Sequence, residues 1–278
     1  MALRIHDDRQ RELIFLRPPR RIVSLVPSDT LNVQVLGGTL VGRTRYCEAE
    51  AEIVGGTKDV DVDAVARLEP DLILANQEEN TQAHLEQLAQ LGLQVLVAFP
   101  RTVTEGLSHL ARLARILETD ARELLKRGYA ALTEAERALA GKTAPRAFVP
   151  IWMEPLMTIN GQTFVSDALR LAGAENVFRE RERRYPLQAD FGQAVPRPSG
   201  TRDTRYPRVT WEEVQALKPA LALLPDEPHP FSEADAQVFR EKLPEARVVL
   251  CSGRDLCWYG AQSVEGIPRL RALIDSLR

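Results

Sequence analysis

The side chains able to do chemistry in this sequence are few and widely spaced. Three cysteines, Cys47, Cys251 and Cys257, neither make the even framework of a small disulfide-stapled domain nor show zinc-ligand spacing. Cys47 reads as an inert, buried thiol next to Tyr46, and Cys251 and Cys257 flank a loop in which an oxidising compartment could pair them. His6, His84, His109 and His229 are scattered, and none stands at metal-ligand distance in sequence from another His or Cys. No protein-ligated metal is therefore expected. Glu78, Glu79 and Asp255 are the carboxylates available for acid–base work, but no nucleophile elbow, phosphate loop or dinucleotide fingerprint accompanies them. Gly37-Gly38 and Gly55-Gly56 match none of these, and no catalytic residue is assigned. What remains is recognition chemistry. Ser28, Tyr46, Asn76, Trp152 and Trp258 end apolar runs that read as strands or lie in the loops just after them, where open α/β sheets hold their ligands. Aromatic rings there offer large rigid contact area to a flat or greasy ligand. Trp211 and Phe164, inside helices, read as core.

These residues need strands to present them, and the pattern supplies strands alternating with helices. A hairpin over 5–16 precedes strands at 21–26, 40–44, 72–75 and 94–98, with helices at 30–36, 63–68, 82–91 and 102–117 between and after them. A second series has strands at 146–151, 220–224 and 247–250, with helices at 163–172, 210–217 and 232–242 and a last helix ending near Leu277. Such alternation implies parallel sheets with helical crossovers. Between the two series Ala121, Leu125, Gly128, Leu132, Ala135 and Leu139 recur at steps of four and three, opposite a charged face. With Thr119 to cap it and Gly141 to end it, this is a straight helical rod of roughly 30 Å. The expected organisation is an N-terminal α/β lobe over 1–118, the rod over 119–141 and a C-terminal α/β lobe over 142–278, held at a nearly fixed separation by the rod.

One unit occurs on both sides of the rod. Residues 63–75 and 212–224 each open with an acidic residue, run through a short apolar-faced helix to a proline, and continue into a buried strand. Asp63 and Glu212 hold the same place in it, where the helix dipole favours an acid. The segment 179–205 is the least regular, with seven arginines against four acids, and reads as a long loop, either a lid or a solvated excursion. The 278 residues suffice for two domains; 44% are apolar and 27% charged, and a net charge of −3 argues against nucleic acid as partner. The N-terminus has only the brief apolar run 13–16 and no export signal, which places the protein in the cytoplasm if Met1 is the native start.

The ordered set Arg21–Ser28, Tyr46-Cys47, Val54-Gly55-Gly56, Leu68–Ala75 and Leu91–Val97, continued by Ala174–Phe178, Tyr206-Pro207 and Trp258-Tyr259, resembles the vitamin B12 and ferric-siderophore substrate-binding proteins of ABC importers. The resemblance spans nearly the whole chain. It implies two Rossmann-like lobes joined by one backbone helix, a ligand held in the cleft between them, and no prosthetic group. That ligand would be a cobalamin-like corrinoid or an iron chelate. Tyr46, Met157, Tyr206 and Trp258 keep the aromatic or soft apolar character of its site, with Tyr259 beside them, whereas Thr57 and Asn76 depart from it. The arginines of 179–205 could meet carboxylates or phosphate on a ligand. By the same resemblance Asp63 and Glu212 would dock on an ABC permease dimer, the protein would be a monomer, and its compartment would be the periplasm or cell envelope. The alternatives are a cytosolic cofactor holder without an importer and a two-lobed α/β enzyme.

Overall fold

The computed structural model describes residues 2–278, which divide into two compact units. The first comprises the chain up to Pro100, Thr104–Tyr129 and Trp258–Val264. Strands β1 (Leu3–His6) and β2 (Glu12–Phe15) form the expected antiparallel hairpin. Next come β3 (Ile22–Ser24), α1 (Pro27–Val35), β4 (Leu40–Arg43), β5 (Glu52–Ile53), α2 (Val62–Arg67), β6 (Leu72–Asn76), α3 (Gln82–Gln90), β7 (Val95–Ala98), α4 (Val103–Leu117) and α5 (Arg122–Leu139). The five strands β5-β4-β3-β6-β7 make a wholly parallel sheet in that order. Its interior strand β6 is buried at every residue, as a mostly apolar run flanked by helices must be.

The second unit holds Arg101–Val103, Ala130–Cys257 and Glu265–Arg278. Its elements are β8 (Arg146–Phe148), β9 (Pro150–Met153), β10 (Leu156–Thr158), α6 (Phe164–Ala172), β11 (Glu175–Asn176), α7 (Leu187–Asp190), α8 (Trp211–Leu217), β12 (Leu221–Pro225), α9 (Glu233–Lys242), β13 (Arg247–Cys251), α10 (Gly253–Cys257) and α11 (Ala261–Ser276). The strands β11-β8-β12-β13 form a second parallel sheet, and β9 pairs with β10 as a hairpin. Phe148, Phe178, Phe231 and Phe239 fill the space between this sheet and α9, with Trp211 edge-on to Phe239. Trp211 is half-buried and packs against this core. The unit boundaries fall inside α5 and α11, and residues 258–264, assigned by sequence to the second half, pack with the first. Among the described residues no helix is long and apolar enough to cross a membrane.

The repeated unit is repeated in its backbone as well. Asp61 caps α2 and Thr210 caps α8, so Asp63 and Glu212 both sit two residues past the cap. Both helices leave through a left-handed residue before proline, Glu69 at φ 44° and Lys218 at φ 47°. The next amide, of Asp71 or Ala220, then donates to the carbonyl of the residue opening the neighbouring strand, Arg21 or Arg146, at 2.8 Å in both.

Several local expectations give way. Thr119 does not cap α5: its Oγ1 is buried without a hydrogen bond, and Asp120 accepts from the Arg122 amide at 3.0 Å instead. Helix α1 starts at Pro27, three residues earlier than the pattern gave, because proline at the first helical positions needs no hydrogen-bond partner. The stretch 179–205 is no free loop, since α7 and a buried ion-pair cluster organise it.

Candidate functional site

In the first unit the loops beyond the sheet's carboxyl edge are tied down by buried polar side chains. Asn76, the last residue of β6, accepts from the amides of Glu78 at 2.7 Å and Glu79 at 3.4 Å. Asn80 holds the Asn76 amide at 2.8 Å and reaches the carbonyls of Leu25 and Thr57. Buried amides of this kind replace water for backbone groups that the turn leaves unpaired. Ser28 is buried in the first turn of α1. Next to it, Asp29 is fully buried and accepts from Asn32 Nδ2 at 3.0 Å, from Tyr259 Oη at 3.0 Å and from His109 Nε2 at 2.8 Å. Arg112 can only donate, and it donates to His109 Nδ1 at 2.7 Å, so the proton on His109 must sit on Nε2, facing Asp29. Burial, reinforced by the Asp29 charge, pushes the Tyr259 phenol well above its usual range and keeps it a donor. Asn32 also accepts from the Ala261 amide at 2.8 Å, an approach open because residue 260 is a glycine at φ +82° whose missing Cβ would lie 2.4 Å from Asn32 Oδ1.

The eight residues read from sequence as ligand contacts therefore separate. Ser28, Asn76, Trp258 and Tyr259 are at most 8% exposed and take part in the interior of the first unit. Tyr46 is 59% exposed on the loop after β4, with the Arg45 guanidinium 5.8 Å from its ring centre and Arg45 paired to Asp59. In the second unit Trp152 is 45% exposed, its indole nitrogen donating to the Glu154 carbonyl. Trp152 is directly opposite Met157 across the β9–β10 hairpin. The segment holding Tyr206 runs alongside β10, through a bridge between Met157 and Arg208 and a bond from the Thr158 amide to the Pro207 carbonyl. Trp152, Met157 and Tyr206 thus share one region of the second unit, the last two half-buried. Sequence reasoning passed over His229 there. It follows β12 between two prolines and touches Trp152 edge-on at 5.3 Å and Phe231 at 4.6 Å, and that proline-flanked position after a strand was the available signal.

Asp63 and Glu212 are both exposed in the first turns of their helices. Hydrogen bonds from its own amide and the Thr210 hydroxyl hold the Glu212 carboxyl below its usual range. Of the acid–base candidates, Asp255 is buried and bound to Arg269 through both carboxylate oxygens. Among the described residues no group of three or more His, Cys, Asp or Glu could hold a metal ion. Cys47 is buried, and burial, partly offset by hydrogen bonds from Thr30 and Thr44, raises its thiol. Burial and then the Asp226 and Asp255 charges push Cys251 up to about 12. Thiols raised in this way carry no thiolate at neutral pH and are poor nucleophiles.

Residues 22–237 match the family described as Periplasmic binding protein. The chain belongs to that family. A vitamin B12-binding protein of Photorhabdus laumondii is 30% identical over 173 residues, which cover 58% of this chain and 62% of that relative. The match thus spans under two thirds of the relative's length. The periplasmic vitamin B12-binding protein BtuF of Vibrio cholerae superposes with a TM-score of 0.73 at 19% identity, over 94% of this chain and 98% of that one. A periplasmic heme-binding protein from Pseudomonas aeruginosa gives 0.67 at 20% identity, over 92% of each chain. At such identities the superpositions establish the fold, two parallel α/β sheets as read from the sequence. The family is one of binding proteins, and it favours neither an enzyme nor a cofactor holder without an importer. Its description is periplasmic, so the cytoplasmic placement gains no support.

Proposed function

We propose that this protein is the substrate-binding component of an ABC importer for a metal chelate, a cobalamin-like corrinoid in the first instance. The observation that carries this reading is the sequence similarity to vitamin B12-binding proteins, on a fold that superposes with corrinoid and heme binders. Each unit by itself carries exposed or half-buried side chains that suit such a ligand: Tyr46 on the first, and Trp152 with Met157 and Tyr206 on the second. Flat macrocycles gain most from rigid rings, which lose little entropy on binding. The four buried residues of the sequence-derived set act as framework of the first unit in this reading. The protein works as a monomer in the periplasm or cell envelope. Native mass spectrometry and an absorption spectrum of protein from its own host test the proposal. A one-to-one complex with a corrinoid or heme spectrum is expected, and apoprotein that shows no saturable binding of either cobalamin or heme would sink it.

Replacing Trp152 by alanine should weaken chelate binding by about 1–3 kcal/mol, roughly ten- to hundredfold in Kd, with no loss of fold. Unchanged fluorescence-titration affinity in the folded variant would remove Trp152 from the site.

Asp63 and Glu212, at one register in two copies of one unit, are proposed as the contacts to a permease dimer. A surface cavity of about 560 Å³, lined by Asp61, Asp63, His84 and Gln87, gives the first of them a concave setting. Reversing both charges, Asp63→Lys with Glu212→Lys, should leave chelate affinity unchanged and abolish stimulation of the importer's ATPase in proteoliposomes. Full stimulation by the double variant would rule out this docking surface.

A further inference from the structure

Between β11 and α8 the chain makes an excursion held by ties of its own. The Arg183 amide donates to the Thr204 carbonyl at 2.8 Å, and the Arg197 amide to the Tyr185 carbonyl at 2.7 Å. These ties bring residues 180–185, 196–199 and 204 around one cavity of about 390 Å³.

The charges around it do not balance. Arg181 is neutralised by Asp190 at 3.1 Å and Glu213 at 2.7 Å, and Glu180 pairs with Arg179 at 3.0 Å. Among the described residues no carboxylate pairs with Arg183, Arg184 or Arg197, and Glu182 is the one unpaired acid in the lining to set against the three. Arg183 is pinned by the face of Tyr185, 5.1 Å from the ring centre, with Arg202 at 4.1 Å from the same ring. Its Nε is out of solvent and bonds to nothing, and the same holds for Nε of Arg208. Burial lowers Arg208 from its usual range, and the neighbouring Arg183 charge lowers it further. Buried guanidinium N–H groups without acceptors, set near a second guanidinium, are costly as they stand. An anion with several oxygens in the cavity would give Arg183, which lines it, an acceptor.

We propose that the cavity framed by Arg183, Arg184 and Arg197 is an oxyanion site that takes the phosphate group of a ligand, with the Ser199 and Thr204 hydroxyls within its lining. Its lining includes none of Trp152, Met157 and Tyr206, and the proposal does not depend on chelate import. Phosphate suits it better than a carboxylate because three arginines stand in one lining, and a phosphate presents three oxygens to them.

The test is calorimetric titration of the intact chain with inorganic phosphate at fixed ionic strength, with chloride as control, for wild type, Arg183→Gln, Arg197→Gln and Arg122→Gln. Arg197 is exposed, so its variant folds even if the Arg183 variant does not; Arg122, 88% exposed on another element, is the comparison. Saturable binding by wild type and Arg122→Gln is expected, weakened at least about tenfold in both cavity variants. Sedimentation with phosphatidylglycerol vesicles separates the sources of phosphate. Capture lost in the same two variants would support the site with a lipid headgroup as its ligand, and no capture alongside saturable phosphate binding would support a small phosphorylated molecule. Neither saturable binding nor capture, or equal binding by all four proteins, would overturn the proposal.

Discussion

Replacing Asp29 by alanine is expected to cost the protein about 3–5 kcal/mol, measured as a fall in the urea midpoint at unchanged slope. The carboxylate is fully buried and is the shared acceptor for Asn32, His109 and Tyr259. Its removal leaves three donors without water or partner, each worth about 1–3 kcal/mol when unsatisfied. Tyr259→Phe takes away one of the three and should cost about 1 kcal/mol. It should also change the response to alkali. Because burial and the Asp29 charge raise the folded phenol above the unfolded value of about 10, the contribution of Tyr259 is fully present below pH 10. Above that the unfolded state binds fewer protons, so stability falls as pH rises towards the folded pKa. The Phe variant should lose part of that alkaline fall. An Asp29→Ala cost under about 1 kcal/mol, or identical alkaline slopes for wild type and Tyr259→Phe, would contradict this account.

A comparable loss, confined to the second unit, is expected for Asp190→Ala. Asp190 Oδ1 accepts from the Arg184 amide at 2.9 Å and Arg181 Nη1 at 3.1 Å, and Oδ2 accepts from the Arg208 amide at 2.8 Å. The Asp190 side chain is fully buried and that of Arg181 is 10% exposed, so the truncation leaves a mostly buried Arg181 with Glu213 as its one carboxylate and releases the Arg184 and Arg208 amides at both ends of the excursion. Segment 179–205 contains seven arginines, six of them trypsin sites because Arg197 precedes a proline, yet its ties should protect it in the wild type. Cleavage within it should accelerate at least about a hundredfold in Asp190→Ala, following the opening free energy. Equal cleavage rates would mean that Asp190 does not hold the segment.

The parallel sheets, the repeated unit and the central helix were legible because each depends on local periodicity or on a pattern that occurs twice. Ladders such as Leu72–Asn76 against Val95–Ala98 follow from apolar runs too short for buried helices. The buried polar hub was not legible. Asp29 bonds to His109, 80 residues away, and to Tyr259, 230 residues away, and nothing near any of them in sequence marks the others. The same separation hides from the sequence that Trp258 and Tyr259 are buried. Their neighbours are in the first unit, and only folding reveals that. Segment 179–205 was read as irregular because its order comes from side chains, a signal that periodicity does not carry. Its composition did hold a clue, since seven arginines against four acids in one stretch require either solvent or a partner.

The left-handed exits at Glu69 and Lys218 have a consequence for how each half can change. The turn from helix to strand is set by a backbone angle, a following proline and one main-chain bond, with no specific side chain required at the helix start. Residues on the outer faces of α2 and α8 are thus free of the task of shaping the chain. An aspartate at 63 and a glutamate at 212 can differ in length and still be delivered to the same point of their respective copies. Substitutions on either face are read out as surface chemistry alone, so each copy can be retuned to a different neighbour without its architecture being solved again.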